Sequence, residues 1–314
     1  MTTTTHHLVV GSGPVGATVA RQLAERGERV VVVTRSGTAP AHRSITAVRG
    51  DATDAAFLAA QAQGAAAIYN AVNPPYHRWA MDWPPLGAAF LTAAERSGAV
   101  LVMMDNLYAF GPDAPMPMRE TDPMRATGTK GLARRRLAED LLAAHSAGRV
   151  RATLARASDF WGPEVRGSSL GGRVVPRLLA GKPAGLLGDL DVAHSVSFMP
   201  DVARTLVTLA TDERAWGRAW HVPSGPARTQ REMVGLLADA AGVAPKMSSA
   251  PWPVIRAMGL FVPFMRELRE TRYQFDRPWV VDASETEATF GLVHTPHADA
   301  AAATVAWWRA QPAS

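Results

Sequence analysis

The chain has no cysteine. That absence excludes disulfides, thiolate nucleophiles and cysteine-bound zinc, and it fits a reducing compartment. No apolar run approaches the ~20 residues that span a bilayer. The opening residues, a run of threonines before His6 and His7, lack the basic-then-apolar build of a secretory leader. A cytoplasmic protein with no membrane partner is therefore expected. A patch for nucleic acid is also missing. The net charge of +5 comes from scattered arginines. The one tight basic run, Arg134-Arg135-Arg136, falls in a helical pattern with Leu132, Leu137, Leu141 and Leu142. Adjacent helical positions point in different directions, so this run predicts a solvated helix face. His221 and His294 have no partner at metal-ligand spacing, and no metal site is expected.

With 314 residues, 47% hydrophobic and 19% charged, the chain suits one α/β domain and a smaller appended one. Its most informative stretch is Leu8-Val9-Val10-Gly11-Ser12-Gly13-Pro14-Val15-Gly16. This reads as a buried strand, a glycine turn and the start of a helix. In a G-x-G-x-x-G loop so placed, Gly11 permits the turn and Gly13 lets backbone approach a pyrophosphate. Gly16 lets the helix lie close on the sheet. Phosphates then meet the helix start, where Pro14, which has no N–H, sets the first turn and the free N–H groups begin at Val15. The next strand, Val30 to Val33, ends Thr34-Arg35-Ser36. A carboxylate there would accept an NAD ribose hydroxyl, whereas a cation suits the 2′-phosphate of NADP. Arg35, with Arg43 a few residues on, predicts NADP(H).

Further strands are predicted at 47–51, 65–70, 100–104 and 150–155, with Asp54 capping a helix through Leu58. Pro74 and Pro75 open a loop that holds Tyr76, Trp79 and Trp83 before a helix from about Leu86 to Arg96. A proline-rich loop, 111–123, leads to a long helix with Lys130 that ends near Ala147. Strand and helix alternate, so a Rossmann-type, doubly wound parallel sheet is expected over 1–157. Residues 158–314 read as a smaller, mixed α/β C-terminal lobe for substrate, and the chain could cross back to the sheet. Helices are predicted at 201–210, 230–241 and 263–275.

Placed in this frame, the chain resembles the extended short-chain dehydrogenases/reductases of the epimerase/dehydratase-like group. The resemblance is carried by the glycine loop, Gly50-Asp51-Ala52-Thr53-Asp54, Asn70-Ala71, and Asp105-Asn106-Leu107-Tyr108-Ala109-Phe110-Gly111-Pro112. The lysine helix, Phe160-Trp161-Gly162-Pro163 and Phe198-Met199-Pro200-Asp201-Val202-Ala203 continue it. It implies that Asp51 and Ala52 lie at adenine, that Asn70 and Ala71 run along the cofactor, and that Lys130 holds the nicotinamide ribose. Two departures mark an atypical member. The loop spacing is not the G-x-x-G-x-x-G usual in extended members. The Tyr-x-x-x-Lys tyrosine is replaced by Ala126, and Asn106 stands where the family has Ser or Thr.

Tyr108, two residues after Asn106, is the natural substitute proton donor, with Asn106 donating to a developing oxyanion; packing under the loop is the competing reading. Asp105 either takes part or braces the turn. His194, beside Asp191 and Ser195, is a candidate acid or base at the substrate side, or a structural histidine. Tyr76, Trp83 and Trp161, with Phe160 and Trp79, offer aromatic walls for an apolar substrate. That lining, without a basic cluster for a diphosphate, argues against sugar nucleotides. The leading expectation is an NADPH-dependent oxidoreductase acting on a carbonyl, imine or activated double bond of a small apolar metabolite, with epimerase or dehydratase chemistry a close variant. The alternative is an NADP(H)-binding protein without redox turnover, a sensor or a non-redox cyclase or isomerase. The resemblance also implies a homodimer through the lysine helix, which solvated arginines would oppose.

Overall fold

A computed structural model describes residues 5–261 and 263–312, so the first four residues of the threonine-rich start fall outside it. The chain forms two compact units. One comprises residues 1–111, 124–156 and 202–221; the other comprises 112–123, 157–201 and 222–314.

The first unit is built on a seven-stranded sheet. In chain order it contains β1 (His6–Val10), α1 (Pro14–Glu25), β2 (Val30–Thr34), β3 (Ile45–Arg49), α2 (Ala55–Gln61), β4 (Ala65–Asn70), α3 (Trp79–Ser97), β5 (Val100–Asn106), α4 (Thr129–Ser146) and β6 (Ala152–Ala157). The strand Ala219–His221 closes the far edge, parallel to β6. The spatial order runs β3-β2-β1-β4-β5-β6 and then that last strand. The order reverses between β1 and β4, the switch point at which sheets of this kind open a ligand crevice. β1, β2, β4 and β5 are near-continuous apolar runs because helices cover both faces.

Several boundaries differ from the sequence reading. β3 begins and ends two residues earlier, at Ile45–Arg49, because Asp51 leaves the ladder to take the Thr53 N–H and hydroxyl in a local turn. β6 runs over Ala152–Ala157 rather than from Val150, and it pairs with the closing strand from Leu154 to Arg156. The largest difference is α3, which starts at Trp79 and carries Pro84 and Pro85 inside it. Each proline removes an N–H and frees the carbonyl four residues back. Those carbonyls belong to Ala80 and Met81, both exposed, where water can take them. Trp79 and Trp83, four apart, share the inward face and are buried, each worth at least about 2–3 kcal/mol. Asp54 caps α2 by accepting from the Phe57 N–H, as expected.

The second unit has its own core, centred on Trp161, Val174, Leu178, Phe198, Val234, Leu237 and Val305. Its strands come in short pairs, such as Val196–Phe198 beside Asp159–Trp161. The helix Gln230–Ala241 opens on a reciprocal cap between Thr229 and Glu232 and stops at Gly242 in the left-handed conformation. The helix predicted over 263–275 is broken, ending at Thr271 and resuming over Tyr273–Asp276.

Candidate active site

The three loop glycines have three distinct surroundings. Gly11 has φ +102°, and a Cβ there would lie 2.7 Å from the Ala71 carbonyl oxygen. The turn after β1 therefore touches the backbone that leaves β4, and the Ala71 N–H donates to Val10 at 2.9 Å. A Cβ on Gly16 would lie 2.0 Å from the Gly11 carbonyl oxygen, which shows how closely α1 approaches the turn. At Gly13 a Cβ meets nothing within 4 Å. Gly13 is also the N-cap of α1, has no capping side chain, and precedes Pro14 at the first helical turn. The N–H groups of that turn, Val15 and Gly16 among them, face a position where backbone is bare and a phosphate has room. The residues fit a dinucleotide pyrophosphate.

At the end of β2, Thr34 Oγ1 accepts from the Thr38 N–H at 3.0 Å, and Ser36 and Thr38 hydroxyls are 2.7 Å apart. This turn fixes the backbone around Arg35, whose side chain is exposed. Asp51 and Ala52 lie in the turn after β3. Bonds from the Thr53 N–H and hydroxyl hold the Asp51 carboxyl below the usual range, with help from the Arg35 charge. Asn70 is buried; its side-chain carbonyl takes the Val72 N–H at 3.0 Å and its amide donates to Met103 Sδ. Asn70 thus shapes the strand exit, while Ala71 is the backbone that Gly11 meets.

Asn106 ends β5 and accepts the Tyr108 N–H at 3.0 Å, closing a turn that continues as a single helical turn over Tyr108–Phe110. The Tyr108 hydroxyl lies 2.6 Å from that of Tyr76. Lys130 Nζ stands 5.7 Å from the centre of the Tyr76 ring. Tyr108 is 8% exposed and Lys130 3%. The structure thus brings together Tyr76, the Asn106–Tyr108 turn and Lys130 from three segments. Ala126 is buried and tightly held: its N–H donates to Ala109, and a Cβ on Gly111 or Gly131 would strike it. The place where the family has its tyrosine is packed shut.

Two aromatic candidates leave the site. Trp83 lies in the core of the first unit, 4.3 Å beneath the Arg134 guanidinium. Trp161 lies in the core of the second, against Phe198 and His297. Indoles packed inside cannot wall a substrate, so the argument for an apolar ligand loses two of its residues. Arg134 itself corrects the reading of the basic run. It is buried, and it shares Asp105 with Arg156, while its neighbour Arg135 makes an exposed pair with Glu139. Asp105 therefore braces α4 and β6 against β5. His194, in the second unit, is buried with Nδ1 at 3.0 Å from the Gln274 carbonyl and Nε2 at 3.6 Å from an Asp159 carboxylate oxygen. The Tyr76–Tyr108 pair escaped sequence reasoning because 32 residues separate its members; two tyrosines following successive strand ends were the available signal.

A glycine turn at the switch point of a doubly wound parallel sheet defines a Rossmann-type protein. Residues 7–222 match the NAD dependent epimerase/dehydratase family, and the chain belongs to it. A Streptomyces griseus protein described as dTDP-glucose 4,6-dehydratase is 28% identical over 195 residues, 61% of this chain and 51% of its own length. The chain thus spans about half of that relative. A Kitasatospora kifunensis dTDP-6-deoxy-L-talose 4-dehydrogenase (NAD(P)(+)) is 27% identical over 259 residues, 77% of this chain and 81% of its own length. The Bordetella bronchiseptica enzyme WbmH in complex with NAD+ superposes with a TM-score of 0.75 at 22% identity, covering 98% of this chain and 99% of its own. UDP-glucose 4-epimerase of Thermotoga maritima, with UDP-glucose, gives 0.79 at 16%, covering 97% and 98%. At these identities the superpositions establish the fold.

Proposed function

We propose that the chain is an NADP(H)-dependent oxidoreductase that transfers hydride to or from a carbonyl, imine or activated double bond of a small molecule. The observation that carries this reading is the open space at Gly13 below an uncapped helix start. Gly11, Gly13, Pro14, Val15 and Gly16 would hold the pyrophosphate, Thr34, Arg35 and Ser36 the 2′-phosphate, Asp51 and Ala52 the adenine end, and Asn70, Ala71 and Lys130 the nicotinamide half. The bound dinucleotide supplies or accepts the hydride. Tyr108 and its hydroxyl-bonded neighbour manage the proton, Lys130 contributes positive charge, and the Asn106 amide polarises the substrate oxygen.

With Trp79, Trp83 and Trp161 in cores, Tyr76 and Phe160 are the aromatic candidates left for an apolar substrate. The dTDP-linked sugars named for two relatives are accordingly the first substrates to try, ahead of small apolar ketones. Their oxidation would make epimerase or dehydratase outcomes accessible from one hydride step. A second copy of the chain would pack against the groove of about 610 Å³ between α3 and α4, lined by Pro84, Gly87, Leu91 and Leu132. One observation favours a second reading. Ala126 fills the tyrosine position, so the chain could bind the dinucleotide without turning it over. Calorimetry with NADPH and NADH, followed by absorbance assays on dTDP-sugars and small ketones, separates the two. Binding without consumption across that panel favours the second reading; binding of neither nucleotide removes both.

A further inference from the structure

We infer that Tyr76 is the residue that exchanges the proton with substrate, and that Tyr108 is a positioning residue behind it. The inference deepens the oxidoreductase reading and rests on it. Tyr76 is half-buried and Tyr108 nearly enclosed, so of two hydroxyls 2.6 Å apart the Tyr76 oxygen is the better placed to reach a ligand. Tyr108 cannot swing away. Its N–H is held by Asn106, and its ring packs on Trp79 at 5.8 Å between centroids. Tyr76 is fixed as well. Two prolines precede it, the Pro74 carbonyl is held by the Trp79 indole at 2.9 Å, and the Tyr76 ring leans on that indole at 4.8 Å. Lys130, on α4, stands over the Tyr76 ring. The phenol and the lysine thus meet across the fold, where the family joins them within one helix.

In the reducing direction, Tyr76 Oη gives its proton to the substrate oxygen as the carbonyl carbon receives hydride from the reduced dinucleotide. The carbonyl π pair ends on that oxygen, giving the alcohol. The Tyr76 phenolate left behind is stabilised by the Tyr108 O–H, which donates to it, and by the Lys130 charge, until solvent returns a proton. Oxidation runs the same path backwards, with the phenolate accepting the hydroxyl proton.

Ultraviolet titration of tyrosinate in the dinucleotide-free protein tests this without any substrate. The chain has four tyrosines. Burial pushes the Tyr69 phenol far up and that of Tyr273 up to about 12. The first phenol to ionise should therefore belong to the pair. Tyr76→Phe should abolish that ionisation, and Tyr108→Phe should move it upward. With NADP+ and dTDP-6-deoxy-L-talose as probe, Tyr76→Phe should lower kcat about 100-fold with KM little changed. Tyr108→Phe should lower it about 10-fold and shift the pH profile upward. A first ionisation that survives Tyr76→Phe overturns the assignment whether or not the probe is turned over. Tryptophan fluorescence on NADPH addition separates the failures: lost binding in the wild type sinks the oxidoreductase reading, and retained binding with an unaltered titration sinks only the role of Tyr76.

Discussion

Arg134 and Asp105 meet at 2.6 Å with their side chains only 3% and 1% exposed, and Arg156 reaches the other carboxylate oxygen at 3.2 Å. Arg134 also donates to the Met104 carbonyl and lies over the Trp83 ring. One carboxylate thus serves two buried cations on α4 and β6. Removing it leaves both uncompensated, a change that costs about 3–5 kcal/mol. Asp105→Ala should lower the denaturation free energy by that amount. Arg134→Lys should also be less stable than the wild type, because a point charge cannot keep both the carboxylate and the indole contact. Urea unfolding of the two variants checks this, and a loss under about 1 kcal/mol for Asp105→Ala would contradict it.

The glycine loop allows stability and binding to be separated. Gly16→Ala would set a methyl 2.0 Å from backbone that cannot yield easily, so α1 must shift, at about 1–3 kcal/mol. Gly13→Ala meets no protein atom within 4 Å. It should fold with an unchanged melting temperature and yet lose NADPH affinity, since the new methyl occupies the space where phosphate is proposed to lie. Thermal melts with and without nucleotide distinguish the two. Equal loss of stability in both variants would remove Gly13 from the cradle.

Much of this was legible from the chain itself. β4 and the glycine turn follow from local pattern, because both faces of the sheet are apolar and the glycines stand between a buried strand and a helix start. The start of α3 was hidden, because prolines at 84 and 85 outweigh everything local and only the burial of Trp79 and Trp83 explains the longer helix. Arg134 looked solvated for the same reason: its partner Asp105 is 29 residues away. At the candidate site, Lys130 and Tyr108 could be picked out one by one. The approach of Tyr76 to both is a tertiary fact with no period or motif behind it.

Arg35 is expected to choose between the two nicotinamide dinucleotides. Its side chain is exposed, beside a turn rich in hydroxyls, and its charge is felt at Asp51. Arg35→Asp should weaken NADPH binding at least about tenfold, or about 1.4 kcal/mol, while NADH holds or gains. Calorimetric titration of both nucleotides against both proteins gives the ratio directly. An unchanged ratio would mean that the 2′-phosphate is bound elsewhere or not at all.

His7, on β1, links the sheet to pH. Its Nδ1 lies 3.2 Å from the Tyr69 hydroxyl and its Nε2 3.8 Å from a Glu28 carboxylate oxygen. Burial lowers its pKa from the ordinary 6.5, Glu28 opposes that, and His6 adds to it. Folding therefore favours the neutral ring, and the unfolded chain binds the proton more readily. Stability from this group is present in full above about pH 6.5 and is lost as pH falls through the lowered folded value. His297, also lowered chiefly by burial, acts in the same direction. The melting temperature should be level near pH 7 to 8 and decline below about 6.5. His7→Gln should flatten part of that decline, and Glu28→Gln should deepen it, since the opposing charge is gone. A His7→Gln profile that overlays the wild type between about pH 5 and 7 would show that this histidine ionises without cost to the fold.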